Sequence, residues 1–468
     1  MVFSSVPFLL YFLPFLIIIY YLAPKKYKNL VMLLASMIFF AWGEIRYLVV
    51  MMFLTAVDYI CGKNIDKNLG NKKKMRMFML IDVGLNLSSL IFFKYTDFII
   101  GNLNAITGLD IPLTGIPLPL GVSFNTFQSI SYIIDVYKRR TTSEKSYYNY
   151  LTYTTLFPQV IAGPIVRYIT VEEEIADRNI KLSDLSLGIR RFLQGLGKKV
   201  LIANNIGYLW TLVQTGEAGE MSVLLYWLGI LAFTFQLYFD FSGYSDMAIG
   251  LSQIFGIYIE ENFNFPYIST SITEFWRRWH ITLGSWFRDY VYIPLGGNRC
   301  GKIKQIRNIV VVWGLTGLWH GPSWNFVFWG LFFAVILIFE KFVLFKFWEK
   351  VFKPIRHLYT MFLVVISWVI FSFEDLGELG DYLSGMFGLN GVDLINSQGI
   401  HYLATYAFFF IISIVFSTPI IKNLLSKLEN SSKRPAYYTA TAIYLLIFIG
   451  SLIYLISSTY NPFLYFKF

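Results

Sequence analysis

The sequence predicts an all-α integral membrane protein that crosses the bilayer many times. Of its 468 residues, 56% are hydrophobic, 19% are aromatic and only 15% are charged, and the mean hydropathy is +0.55. Soluble globular proteins average about 25% charged residues. Apolar runs of about 15 to 22 residues recur between short charged connections, and such runs have the length of membrane-spanning helices. The alternating pattern of a transmembrane β-barrel is not seen in the sequence.

The apolar runs predict roughly ten to twelve transmembrane or re-entrant segments. Several are too short to cross a hydrocarbon core of about 30 Å unaided, and glycine and proline breaks favour re-entrant hairpins. We interpret the first run as a retained span rather than a signal peptide, because no basic region precedes it. One integral-membrane domain is expected over residues 1–468, because no linker is long enough to separate domains. The predicted segments are 6–23, 29–43, 46–60, 77–98, 117–136, 147–165, 200–214, 222–242, 309–340 (interrupted), 357–373, 400–417 and 437–457.

The placement of lysine and arginine predicts the orientation of the chain. Basic residues concentrate in connections such as 24–28, 63–76, 296–307 and 341–356, whereas 374–399 contains five carboxylates and no lysine or arginine. Basic loops are expected in the cytoplasm and acidic loops outside, which places both termini outside. The net charge of +10 then reflects topology and attraction for an anionic cofactor, and implies no nucleic-acid partner. Cys61 and Cys300 fall in predicted cytoplasmic loops and form no metal-ligand pattern, so no metal is expected.

Polar side chains within apolar surroundings are the informative residues of such a chain, and they concentrate between residues 157 and 325. The string FPQVIAGPIVRY (157–168) contains two prolines and a glycine that break a helix, which fits a simple turn or a functional bend. The string QLYFDFSGYSDMAIG (236–250) places carboxylates in an apolar helix pattern. These carboxylates either pair with arginines of the next cluster and stabilise the protein core, or they take part in function. Its supporting polar residues are Gln236, Asp240, Ser242 and Asp246.

A cluster rich in arginine and tryptophan follows at 261–299. Ser271 is a candidate N-cap with Glu274 at capping-box distance, and Glu274 is also spaced to pair with Arg278 on one helix face. The remaining arginines are available for phosphates or for the buried carboxylates. Aromatic rings beside arginines suit a nucleotide, and they equally suit a membrane interface. The candidate residues are Trp276, Arg277, Arg278, Trp279, His280, Arg288 and Arg299.

The stretch GLTGLWHGPSWNFVFWG (314–330) contains one of only four histidines in the chain. His320 precedes Gly321 and Pro322, so the helix predicted over 309–319 must break beside it. A break frees backbone groups, which implies burial in protein or a cavity rather than contact with lipid. From these residues alone, His320 is either a hydrogen-bonded core residue or a functional group, and the surrounding tryptophans are packing residues.

These strings, in this order, resemble the membrane-bound O-acyltransferase (MBOAT) superfamily. The chain is most similar to its bacterial alginate O-acetylase branch, which includes peptidoglycan and other polysaccharide O-acetyltransferases. The resemblance runs nearly end to end, with its core motifs within residues 120–345, and implies a helical fold around a central tunnel. It is carried by MVFSS (1–5), QSISYIIDVYKR (128–139), LFPQVIAGPIVR (156–167), YFDFSGYSDMAIGL (238–251), ENFNFPYIS (261–269), SITEFWRRWHITLGSWFRDYVYIPLGGNR (271–299), GLWHG (317–321) and NPFLYFKF (461–468).

The resemblance implies that His320 of the WHG element is catalytic, with His280 forty positions earlier as a second histidine. We assign His320 as the general base that takes the proton of an attacking hydroxyl, since a partly desolvated site keeps imidazole neutral. His280 would orient the acceptor or polarise the thioester carbonyl. The residues expected to bind the donor, with acetyl-CoA as that donor, are Trp276, Arg277, Arg278, Trp279 and Arg288.

The function implied by the resemblance is acetyl transfer from a cytosolic thioester across the bacterial cytoplasmic (inner) membrane. The acetyl group would reach a cell-surface polysaccharide through an extracytoplasmic partner of the SGNH esterase type. Two alternatives stay open. One is D-alanyl transfer from a carrier protein to teichoic acid. The other is a transporter or flippase, which predicts inverted repeats that the sequence does not contain.

Overall fold

The computed structural model describes residues 1–119, 121–160, 163–431 and 433–462, and every regular element in them is a helix. The all-α prediction is therefore confirmed. The helices of the first half are α1 (Leu13–Leu22), α2 (Lys28–Lys67), α3 (Lys72–Leu90), α4 (Thr96–Thr107), α5 (Val122–Tyr137), α6 (Tyr147–Thr155), α7 (Phe157–Val160), α8 (Tyr168–Ala176), α9 (Leu182–Gly197), α10 (Asn204–Gln214) and α11 (Val223–Ile254).

The second half continues with shorter helices and then with long apolar ones. Its helices are α12 (Ile272–Arg278), α13 (Ile281–Phe287), α14 (Lys302–His320), α15 (Trp324–Phe339), α16 (Phe345–Trp348), α17 (Lys353–Ser372), α18 (Leu376–Met386), α19 (Ser397–Phe416), α20 (Ile420–Glu429) and α21 (Arg434–Ser457). Single π-helical turns join several of these, such as Arg288–Tyr292 after α13 and Glu340–Leu344 after α15.

Seven helices among the described residues are long and apolar enough to cross a membrane, which confirms a multi-pass protein. A shorter apolar helix covers Phe8–Leu22. The predicted segments 29–43 and 46–60 are parts of one helix, α2, which continues without a break between them. The seven are Tyr47–Lys67, Lys72–Thr107, Val223–Ile254, Trp324–Leu344, Lys353–Ser372, Ser397–Phe416 and Arg434–Ser457.

Two predicted features fall partly on residues outside the described ranges. The break predicted at 157–168 includes Ile161 and Ala162, which are not described. On either side of them, α7 is a single turn and α8 begins only at Tyr168, as a proline-rich break predicts. The last six residues of the string at 461–468 are likewise not described.

The chain forms two compact units. The first contains residues 1–192 and 246–260, and the second contains 193–245 and 261–468. The expectation of one domain over the whole chain stays a prediction. In the first unit, α2 packs against α3, α5 and α6 around the buried carboxylate of Asp58.

The second unit contains the helix hairpin α14–α15, which is held together by close approach of two glycines. A Cβ on Gly317 would lie 2.2 Å from the carbonyl oxygen of Phe326, and a Cβ on Gly330 would lie 2.3 Å from that of Trp313. Small residues allow helices in membranes to pack at such short range. This contact fixes the end of α14, where His320 lies.

Candidate active site

His320 is the last residue of α14, and the backbone becomes extended at Gly321 (φ −167°, ψ 159°). The break that the Gly-Pro pair predicts is therefore confirmed. The imidazole is buried, and its ring lies edge-on to three aromatic rings. The ring centroids are 4.9 Å from Trp329, 5.0 Å from Trp319 and 5.4 Å from Phe371. The hairpin thus sets the histidine among aromatic rings.

His280 joins α12 to α13 in a left-handed backbone conformation, with φ 45°. Its Nδ1 lies 3.1 Å from Oδ1 of Asn262. That same oxygen accepts hydrogen bonds from the backbone N–H and the hydroxyl of Thr282, at 3.3 Å and 2.9 Å. Because a backbone N–H only donates, the Asn262 atom is the amide oxygen, and Nδ1 of His280 carries the proton.

The remaining nitrogen of His280 is therefore a lone-pair acceptor. Nε2 is buried and has no hydrogen-bond partner among the residues that the structure describes. Burial lowers the pKa of His280 to about 3, so that its imidazole is neutral at pH 7. The ring centroid lies 5.9 Å from that of Trp319, which itself contacts His320. The two predicted histidines are thus brought to the same indole ring.

A cavity of about 1050 Å³ opens beside α12, and all of its lining residues belong to the second unit. We name it the arginine cavity. Four of the residues predicted from the sequence line it: Trp276, Arg277, His280 and Arg288. His320 does not line it, although Thr316, one turn earlier on α14, does. Other polar or charged residues in its wall are Thr270, Ser271, Thr273, Ser285, Tyr292, Asn298, Glu340, Lys341, Glu349 and Arg356.

The cavity is named for the guanidinium groups of Arg277 and Arg356, which are available to bind a ligand. The side chains of Arg277 and Arg356 form no hydrogen bond or ion pair with any described residue, and Nε of Arg356 is buried. Arg288 pairs with Asp289 at 2.7 Å, and Lys341 donates to Asn298 at 2.6 Å. Sequence reasoning missed Arg356 because the basic stretch around it was interpreted only as a sign of topology.

Two predicted donor-binding residues do not line the cavity. Arg278 binds Glu274 and the carbonyl oxygen of Asn264, both at 3.0 Å. The Glu274 pair is the one that the four-residue spacing predicts. Trp279 is buried in an aromatic layer and lies parallel to the ring of Phe275, with centroids 5.5 Å apart. Both residues stabilise α12 from its other face.

The predicted carboxylates of α11 pair with basic residues that precede them in the chain. Asp240 lies 2.5 Å from Nζ of Lys199, and Asp246 lies 2.7 Å from a guanidinium nitrogen of Arg191. Neither of these two partners belongs to the following cluster, whose arginines were one of the alternatives that the sequence left open.

The cause is glycine-mediated packing between α11 and the segment that begins at α9. A Cβ on Gly243 would lie 2.8 Å from the carbonyl oxygen of Gly195, so the two backbones nearly touch. Gln236 lies 3.5 Å from the hydroxyl of Tyr460, and the hydroxyl of Ser242 has no partner among the described residues. None of the four polar residues of α11 that the sequence predicted as supporting groups lines the arginine cavity.

The known proteins to which this chain is similar are membrane-bound acyltransferases. The model of the membrane-bound O-acyltransferase family matches residues 136–377. A probable alginate O-acetylase, AlgI, of Pseudomonas putida is 39% identical over the whole of both chains. The peptidoglycan O-acetyltransferase of Helicobacter pylori is 33% identical over all of this chain and 98% of its own length. The teichoic acid D-alanyltransferase of Bacillus subtilis is 32% identical, but the match covers 54% of this chain and 67% of that protein.

Proposed function

This chain belongs to the membrane-bound O-acyltransferase family, and we propose that it moves acetyl groups from cytosolic acetyl-CoA across the membrane to O-acetylate a cell-surface polysaccharide. It is a multi-pass membrane O-acyltransferase. The observation that carries the proposal is the arginine cavity, which reaches His280, while His280 and His320 contact the same indole ring.

Acetyl-CoA matches the arginine cavity in charge and size. The donor has a pyrophosphate and a 3′-phosphate, and guanidinium groups bind phosphates through paired, charge-assisted hydrogen bonds. Arg277 and Arg356 are free to make such bonds, and Trp276 provides an aromatic wall. A volume of about 1050 Å³ is at the upper end of the usual range for small-molecule sites, about 300–1,000 Å³.

His320 acts as the base of the transfer step in this proposal. The acceptor hydroxyl attacks the carbonyl carbon of the thioester while the imidazole takes the hydroxyl proton. The C–S bond then breaks, and the imidazolium returns the proton to the departing thiolate. Exclusion of water by the surrounding aromatic rings limits hydrolysis of the donor.

His280 has the narrower role of orienting the acceptor. With the proton of its imidazole on Nδ1, the free lone pair of Nε2 accepts a hydrogen bond and does not donate one. This supports orientation of a hydroxyl over polarisation of the thioester carbonyl, which requires a donor.

The acceptor side is proposed from charge and from the relatives. The acidic loop 374–399 faces outside, where an SGNH-type partner receives the acetyl group and passes it to polysaccharide. Both termini then also lie outside the bacterial cytoplasmic membrane. Two relatives are named for O-acetylation of alginate and of peptidoglycan, which supports a polymeric final acceptor.

D-Alanyl transfer is the second candidate, and the extent of similarity argues against it. The acetylating relatives match this chain over its whole length, whereas the D-alanyltransferase matches about half of it. Binding of a loaded carrier protein in place of acetyl-CoA would favour this candidate. A transporter or flippase leaves the WHG histidine without a role.

The test is base-labile acetate on purified envelope polysaccharide from a strain that carries His320→Ala. We expect the acetate to fall to the background of a strain without the gene, because the base is removed. Immunoblots of membranes verify that the variant protein is present. His401→Ala, at the exposed start of α19, is the matched control and should retain acetylation. Full acetylation in the His320→Ala strain would overturn the proposal.

A further inference from the structure

The short helix α12 is held at its start by a carboxylate that lies 68 residues further along the chain. Glu340 is buried, and its two oxygens accept the backbone N–H groups of Ile272 at 2.7 Å and Thr273 at 2.9 Å. It also accepts the hydroxyl of Thr273 at 2.7 Å. These N–H groups are among the first in the helix and have no partner within it. An anion at this end is also favoured by the helix dipole.

Two further side chains from the same stretch hold the residues just before α12. The indole N–H of Trp348 donates to the carbonyl oxygen of Thr270 at 2.9 Å. Nδ1 of His357 lies 3.0 Å from the carbonyl oxygen of Ser269, and therefore donates to it. Residues 340–357 thus contact four of the five residues from 269 to 273.

External contacts matter here because α12 has only seven residues. A helix of two turns is not stable by itself in isolation, so its position depends on its neighbours. The same seven residues present Trp276 and Arg277 to the arginine cavity and lead directly into His280. A small rotation of α12 would therefore move an aromatic wall and a free cation of the cavity together.

We propose that Glu340 is a positioning residue that fixes α12 so that Arg277 and Trp276 meet the acyl donor. The inference rests on the proposed function, in which the arginine cavity binds acetyl-CoA. Glu340 itself lines this cavity, where its negative charge opposes an anionic donor. Repulsion and positioning consequently predict opposite changes in the affinity for the donor when the carboxylate of Glu340 is removed. Loss of the charge alone strengthens donor binding, and loss of the anchor weakens it.

The experiment measures binding of radiolabelled acetyl-CoA to the purified full-length protein in detergent. Glu340→Gln keeps the shape of the side chain, but its amide NH2 faces a helix N–H, so two donors oppose each other. We expect the Kd for acetyl-CoA to rise about tenfold, as loss of a charge-assisted hydrogen bond at a buried site predicts. Trp348 also lines the cavity, so the second variant is Trp348→Phe, which removes one N–H and no charge but keeps an aromatic ring at that place in the wall. It should raise the Kd by a smaller factor in the same direction.

Glu349→Gln is the matched control for charge. Glu349 lines the same cavity but is exposed, and its side chain forms no hydrogen bond or ion pair with a described residue. Its removal should lower the Kd, because only repulsion is lost. Thermal unfolding of each variant provides a readout of stability. A residue of merely structural importance would lower the melting temperature and leave the Kd of the folded fraction unchanged.

The outcomes separate the two proposals. A Kd that is unchanged or lowered in both Glu340→Gln and Trp348→Phe, with wild-type binding intact, overturns the positioning role alone. Failure of the wild-type protein to bind acetyl-CoA overturns the assignment of the donor and this inference with it. If Glu340→Gln does not fold, the Trp348→Phe measurement decides, since it tests the same anchor without a change of charge.

Discussion

At the scale of single residues, Asn262 determines the chemistry of His280 without itself lining the cavity. Its amide oxygen accepts from both Thr282 donors and thereby fixes the proton of the imidazole on Nδ1. Its amide nitrogen is held in turn by the hydroxyl of Ser245 at 3.2 Å. Outer partners of this kind fix the tautomer and the orientation of an imidazole ring. The signal in the sequence was an asparagine within the aromatic string ENFNFPYIS, which gave no indication of its partner.

Arg356 should contribute directly to binding of the proposed donor, because its guanidinium lines the cavity and has no protein partner among the described residues. Arg356→Ala should raise the Kd for acetyl-CoA about tenfold or more, since a hydrogen bond to a charged group contributes about 1.5–3 kcal/mol. Equilibrium binding of labelled acetyl-CoA measures this. Lys353→Ala is the control, because Lys353 is an exposed cation one turn earlier on α17 and does not line the cavity. Equal losses in the two variants would attribute the effect to general electrostatic attraction.

At the scale of elements, the hairpin α14–α15 depends on the absence of side chains at its crossing point. Gly317→Ala should destabilise the protein by about 1–3 kcal/mol, because the added methyl would overlap the carbonyl oxygen of Phe326, which is backbone and has little freedom to move. A displaced α14 would also move His320, so acetylation should fall together with stability. The measurements are thermal unfolding of the purified protein and acetate on the polysaccharide.

Gly314 provides the comparison for that substitution within the same helix. A Cβ at Gly314 meets nothing within 4 Å. Gly314→Ala should therefore be neutral or stabilising by up to about 1 kcal/mol, as the greater helix propensity of alanine predicts. If both alanine variants unfolded at the same temperature, close packing of the hairpin would not be what holds the end of α14.

Helix ends and the contacts between helices differ in how far the sequence predicts them. Features that depend on neighbours in sequence were confirmed: the break after His320, the Ser271 cap and the Glu274–Arg278 pair. Each of these features is encoded by residues that lie within five positions of each other in the sequence. The pairs of Asp240 with Lys199 and of Asp246 with Arg191 were not predicted, because these partners come from 41 and 55 residues earlier in the chain. Backbone packing at glycines selects such partners, and no local pattern encodes it.

At the scale of the whole molecule, the distribution of charge gives the proposed reaction its direction. The arginine cavity is lined by Asn298 of the basic connection before α14 and by residues of the basic stretch after α15. The positive-inside rule predicts that both lie in the cytoplasm, where acetyl-CoA is present. The acidic segment 374–399 is expected on the opposite side, where the proposed function has the acceptor. Donor and acceptor would then approach the two histidines from different compartments.

Cysteine labelling tests this orientation with one natural thiol and one introduced thiol. Cys300 lies two residues after Asn298, and Cys61 is buried, so Cys300 reports the side on which the cavity opens. A membrane-impermeant maleimide should label it only after spheroplasts are permeabilised. In a Cys300→Ser background, Asp393→Cys should label in intact spheroplasts, because Asp393 is exposed in the acidic segment. Labelling of Cys300 in permeabilised membranes verifies that the thiol reacts. The reverse pattern would place the cavity outside, away from any supply of acetyl-CoA, and would contradict the proposed direction of transfer.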